Sequence, residues 1–165
     1  MRSLPSQGMH MKANLILVLF SLILTSCGGS RKVAEASNKK SEAIVKYAKS
    51  FEGTRYKFGG TTKRGMDCSG LVYVSYQKEN IAMPRISRDM AKRGKRISLS
   101  NTKQGDLLFF KTNKNKNTIN HVGLVVETKR GAIFFIHSTS SAGVIITSLD
   151  EPYWKNAFVE VRRVL

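Results

Sequence analysis

Only two of the 165 residues are cysteine and only three are histidine. Acidic residues are also few, 11 Asp and Glu against 28 Lys and Arg, which leaves a formal charge of +17. Two cysteines allow at most one disulfide. No apolar run reaches the ~20 residues of a membrane-spanning helix. No zinc-finger spacing, helix-turn-helix signature or RNP-like strand accompanies the basic residues, so specific nucleic-acid recognition is not expected. No internal repeat is present. Disorder is excluded by composition, because 41% of the residues are apolar and eight Phe and five Tyr are available for a core.

The N-terminus reads as a leader. Lys12 precedes the apolar stretch Leu15–Leu24, broken only by Ser21, and Leu24-Thr25-Ser26-Cys27-Gly28 follows. That length suits the core of a signal peptide, and its end is similar to a bacterial lipobox. The expectation is a signal peptide over 1–26, then Cys27 as a lipidated (palmitate-bearing) N-terminus with a short small-residue tether to 37. A single domain then fills 38–165. Removing Arg2 and Lys12 with the leader leaves 26 basic and 11 acidic residues, or +15. That balance favours an anionic surrounding such as acidic wall polymer or lipid. With Cys27 lipidated, Cys68 is a lone thiol in an oxidising compartment, a liability unless it has chemical work.

Periodicity predicts helices first and strands later. Ser41, Ile44, Val45, Ala48 and Phe51 recur at helical spacing over 39–51. A glycine-punctuated loop follows, with Gly53, Gly59, Gly60 and Gly65 around Tyr56 and Phe58. Asp67 is placed to cap a helix that starts at Cys68 and turns Leu71, Val72, Ser75 and Tyr76 inward. Residues 85–104 read as a short helix plus a connection. Leu107–Lys111, His121–Glu127, Ile133–His137, Val144–Thr147 and Phe158–Val164 then read as strands, with 112–118 as an exposed hairpin loop. The order implies α+β with an antiparallel sheet of five to six strands.

Chemistry is expected at Cys68. A helix N-terminus stabilises a thiolate and presents N–H groups to an oxyanion. Its base must be a histidine from elsewhere. His121 opens one predicted strand and His137 closes the next, so antiparallel pairing brings both to the same end of the sheet. A Cys–His pair with a polar group behind it makes a nucleophile relay.

The segments RYKFGGTTKRGMDCSGLVY at 55–73, GDLLFF at 105–110, HVGLV at 121–125 and FIHSTS at 135–140, in that order, resemble the NlpC/P60 family of cell-wall cysteine peptidases, in its small lipoprotein form. The resemblance implies a circularly permuted papain-like fold. It matches Cys68 to the nucleophile, His121 to the general base and His137 to the residue that orients it. Tyr56 and the backbone of Ser69 match helpers for the oxyanion or substrate. It further implies hydrolysis of peptidoglycan stem peptides, between D-γ-glutamate and meso-diaminopimelate, without a cofactor. For a lipoprotein with no Asp beside Cys27 it implies a periplasm-facing outer-membrane location, and the chain is expected to be monomeric. Arg85 and Arg88, just after Pro84, are candidate contacts for substrate carboxylates.

Other readings stay open at this point. Cys68, His121 and His137 are all possible zinc ligands, although no fourth ligand has suitable spacing. The domain is also compatible with a wall-binding module of weak activity, or with a related acyltransferase or amidase.

Overall fold

The computed structural model describes residues 27–113 and 117–165. The predicted leader, 1–26, lies outside the described residues, as does the side chain of Cys27. The chain divides into two compact units, Met1–Ser37 and Asn38–Leu165, and the site belongs to the second. Among the described residues no helix is long and apolar enough to cross a membrane.

Helix α1 spans Cys27–Lys49. The stretch 28–37, expected to be a tether, is therefore helical, because its Ala, Glu, Lys and Arg residues are helix formers that the two leading glycines do not outweigh. From residue 38 onward α1 buries Ser41, Ile44, Val45 and Ala48, the face anticipated from the sequence. A two-stranded hairpin follows, β1 (Thr61–Thr62) and β2 (Gly65–Met66), and leads straight into α2 (Cys68–Gln77). The short α3 (Ser87–Met90) comes next.

The remainder builds one antiparallel sheet from β3 (Lys95–Ile97), β4 (Leu107–Phe110), β5 (His121–Lys129), β6 (Ala132–Thr139), β7 (Gly143–Ser148) and β8 (Phe158–Arg163), in the order β3-β8-β4-β5-β6-β7. Helix α4 (Pro152–Ala157) joins β7 to β8. The fold is α+β, with the N-terminal helices packed against a six-stranded antiparallel sheet.

Strand β4 shows why the sheet sits where it does. All four of its residues are buried. Leu107 and Phe109 join the cluster formed with Ile44, Leu71, Val72 and Tyr76 of the helices, whereas Leu108 and Phe110 join Phe135, Trp154 and Val161 on the other face. Two-residue alternation thus feeds two cores at once, and each large side chain removed from water contributes about 1.5–3 kcal/mol. Tyr76 ties α2 to the strand layer through its hydroxyl, which donates to the Gly105 carbonyl at 2.9 Å. Asp106, almost fully buried, receives Arg163 in a two-pronged ion pair at 2.8 Å. The Gly-Asp pair before β4 is therefore structural.

The sheet's two edges are closed differently. Strand β3 pairs only with β8 and exposes Lys95 and Arg96. At the opposite edge the loop after α1 covers β7, with Gly53 N–H donating to Val144 O at 2.9 Å and Val144 N–H to Thr54 O at 2.8 Å.

Candidate active site

Asp67 and Cys68 set the start of α2. The Asp67 carboxylate caps α2 by accepting the Gly70 N–H at 2.7 Å, and its other oxygen accepts the Gly59 N–H at 2.7 Å. One side chain thus fixes the helix start to the preceding loop. A β-carbon on Gly70 would collide with the Gly60 carbonyl, so helix and loop interlock at bare backbone. Met66 bridges to Tyr56, which places the tyrosine beside the Asp67–Cys68 step. The Ser138 hydroxyl donates to Met66 O at 2.8 Å and pins the same segment to β6.

Arg85 does something other than expected. Its guanidinium pairs with both Asp67 oxygens at 2.9 Å, donates to Ser69 Oγ at 2.9 Å and reaches Gly60 O at 3.2 Å. Burial alone would raise the Asp67 carboxyl, but the Arg85 guanidinium and the Gly70 and Gly59 amides outweigh it and hold the pKa below the usual carboxylate value. Arg88 is exposed on α3. Neither arginine is among the described residues that line the cleft at Cys68. Pro84 leads the chain back toward the start of α2, so the nearest arginine meets Asp67 before any substrate.

The thiol is half-buried. Burial pushes its pKa up, and the charge of Asp67 adds to this. Amides of Val122, Ser69 and Cys68 itself pull the other way without prevailing. The expected thiolate-favouring effect of the helix start is therefore present but outweighed, and the resting group is a thiol. Tyr56 is also raised, by burial first and then by Asp67 and Cys68, so its hydroxyl keeps its proton and can donate.

The two histidines meet as strand pairing requires. His121 Nε2 lies 3.0 Å from His137 Nδ1, and His137 Nε2 lies 2.9 Å from Thr147 Oγ1. For His121 to act as a base through Nδ1, its proton must sit on Nε2 and point at His137. His137 then carries its proton on Nε2 and donates it to Thr147. Desolvation lowers His121 to about 4, and desolvation with the neighbouring His121 lowers His137 to about 2. Both rings are neutral at neutral pH. They pack against the second core: His121 stacks on Trp154 with centroids 5.0 Å apart, and His137 lies 4.5 Å from Phe135. Gly123, of the His-Val-Gly run, leaves the space that the Phe135 ring occupies.

These groups open onto a cleft of about 750 Å³ lined by Tyr56, Cys68, His121 and Thr147 together with residues of the β6–β7 turn and α4. Thr147 and Trp154 join the site without having been expected there. The threonine gives no sequence signal in a β-branched strand, whereas the chain's single tryptophan is a cue. Among the described residues no cluster of three or more His, Cys, Asp and Glu side chains is placed to hold a metal ion.

The profile of the NlpC/P60 family matches residues 53–163. The chain belongs to the NlpC/P60 family. It is 39% identical over 127 residues to the murein DD-endopeptidase MepS/murein LD-carboxypeptidase of Escherichia coli (strain K12), covering 76% of this chain and 63% of that protein. It is 33% identical to a probable endopeptidase of Haemophilus influenzae (strain Rd), covering 94% of this chain and all of the relative. Among solved structures, an NlpC/P60 family protein from Bacillus cereus ATCC 10987 superposes with a TM-score of 0.68 at 28% identity, over 76% of this chain and 40% of that one. The family is one of cysteine-type hydrolases, and the relatives are bacterial murein endopeptidases or similar to them.

Proposed function

We propose that this chain hydrolyses amide bonds of peptidoglycan stem peptides with Cys68 as nucleophile. The observation that supports this most is the His121–His137–Thr147 hydrogen-bond chain opening on the same cleft as Cys68.

In this reading His121 Nδ1 accepts the thiol proton as sulfur attacks the carbonyl carbon, because thiol and imidazole are both neutral at rest. Charge develops on the carbonyl oxygen, where the Tyr56 hydroxyl and the amide at Ser69 donate to it. The imidazolium formed on His121 is stabilised by His137, itself held by Thr147. It returns the proton to the leaving amine, leaving a thioester on Cys68. Water, deprotonated by His121, then attacks the thioester and releases the carboxylic acid and the thiol.

The γ-D-glutamyl–diaminopimelate bond is the cut that the sequence motifs imply. A second reading is favoured by the 39% identity to a protein named as a DD-endopeptidase, namely a cut between two D-configured centres in a cross-link. Mass analysis of products from defined cross-linked and uncross-linked muropeptides separates them. The Cys68→Ala chain should release nothing while still binding wall fragments. Cleavage surviving that substitution would sink the proposal.

A cell-envelope location accords with such a substrate. Lipidation at Cys27 supplies the tether, and Cys27→Ser should move the protein from the membrane fraction to the soluble one. Retention in membranes by the serine variant would overturn the anchor.

A further inference from the structure

The chain is strongly basic, yet the described residues lining the cleft include no Lys or Arg. Their one carboxylate belongs to Glu151. Glu151 sits at the N-cap of α4 without making a side-chain cap. Its side chain is exposed and takes part in no hydrogen bond or ion pair among the described residues. Its backbone is fixed, with Glu151 N–H donating to Ser148 O and Glu151 O accepting the Lys155 N–H at 2.9 Å. Two residues on, Tyr153 is 59% exposed and also lines the cleft. Its ring meets Trp154 edge-on at 4.8 Å, and Trp154 is the residue stacked on His121. The short α4 and its N-cap residue therefore carry a carboxylate, an exposed aromatic ring and the indole stacked on His121.

A carboxylate and an exposed phenol ring lining one cleft suit an ammonium group, the first through charge and the second through its π face. A guanidinium or lysine placed there instead would suit substrate carboxylates, and the described lining offers none. Stem peptides contain both kinds of charge, so the asymmetry selects between them.

We propose that α4 is the specificity element of the cleft, with Glu151 and Tyr153 recognising the side-chain ammonium of the diamino acid in the stem peptide. This rests on the reading of the chain as a stem-peptide hydrolase. Recognition is a matter of binding, so its test does not depend on turnover.

The full-length Cys68→Ala chain is titrated by calorimetry with L-Ala-γ-D-Glu-L-Lys and with the same peptide acetylated on Nε. The free amine should bind about three- to tenfold more tightly, the range of a partly exposed ion pair with a cation–π contact. Adding Glu151→Gln should bring the ratio of the two affinities close to one, and Tyr153→Leu should lower it partway. Equal affinities without the Glu151 substitution, no measurable binding of either peptide, or discrimination that persists in Glu151→Gln would overturn the proposal. Muropeptide cleavage by the unsubstituted chain is assayed in parallel. If cleavage occurs without amine discrimination, the hydrolase reading stands and the role of α4 falls. If discrimination occurs without cleavage, α4 keeps its role in binding and the hydrolase reading falls.

Discussion

The indole of Trp154 lies 29° from parallel to the imidazole of His121, with ring centroids 5.0 Å apart. The same indole meets His137 edge-on at 4.5 Å. One side chain from α4 therefore braces both histidines from outside the sheet, and it excludes water from rings whose pKa values depend on dryness.

Replacing Trp154 by Phe should keep the fold and loosen the brace. We expect kcat to fall several-fold and the acid limb of the pH–rate profile to move upward as water reaches His121. Trp154→Ala removes a large buried side chain and should cost about 3–5 kcal/mol of stability. An unshifted profile in Trp154→Phe would show that the stack does not control the ring's hydration.

The Thr147→Val substitution keeps shape and deletes the acceptor for His137. Without it the His137 proton has no fixed direction, and His121, the proposed base, loses its preferred tautomer. We expect roughly tenfold lower kcat with KM little changed, and about 1–2 kcal/mol lower stability from the unpaired ring nitrogen. Thr147→Ser should restore most of the rate. Failure of the serine to rescue would mean that packing, not the hydrogen bond, is what Thr147 supplies.

The buried imidazoles give a pH signature. His121 titrates near 4 when folded and near 6.5 when free. Between those values the unfolded chain binds a proton that the folded chain refuses, so acidification favours unfolding. Stability is fully present above about 6.5 and is lost as pH falls toward 4, by on the order of 3 kcal/mol from this residue alone. Urea titrations across that range measure it, and a flat profile would contradict a dry His121. Activity should persist well below the ordinary imidazole range, with its acid limb near 4.

Arg85→Met should leave Asp67 without its partner at the start of α2. The arginine is one-third exposed and the carboxylate one-tenth, so the loss should be about 2 kcal/mol, below that of a fully buried pair. The Asp67 charge would then act on the thiol unopposed, raising its pKa further. Iodoacetamide labelling of Cys68 at neutral pH should slow accordingly. Faster labelling would mean instead that the helix start had simply opened.

The periodic elements are readable in the sequence, and so is the meeting of His121 with His137. Ile44, Val45 and Ala48 announce α1 by spacing, and Asp67 announces the cap of α2. His121 and His137 can be placed at one sheet end because antiparallel pairing admits little else. Strand β3 is not legible, since Lys95-Arg96-Ile97 is short, charged and strand-like only through its pairing with β8. Arg85 misleads because proximity in sequence to the site suggests substrate, whereas a buried carboxylate claims the nearest guanidinium first. The ionisation of Cys68 misleads for a related reason. A helix start is visible in the sequence, but the depth of burial that opposes it is a property of the assembled fold.

The closed edges of the sheet matter most where molecules are crowded. A chain concentrated on a surface meets copies of itself far more often than one in solution, and an open strand edge would offer each neighbour a ready ladder of hydrogen bonds. Here one edge is met at Val144 by the chain's own loop at Gly53–Thr54, and the other presents exposed Lys95 and Arg96, the latter paired with Glu160 at 3.4 Å. Two exposed cations on a three-residue strand thereby act as insurance against polymerisation.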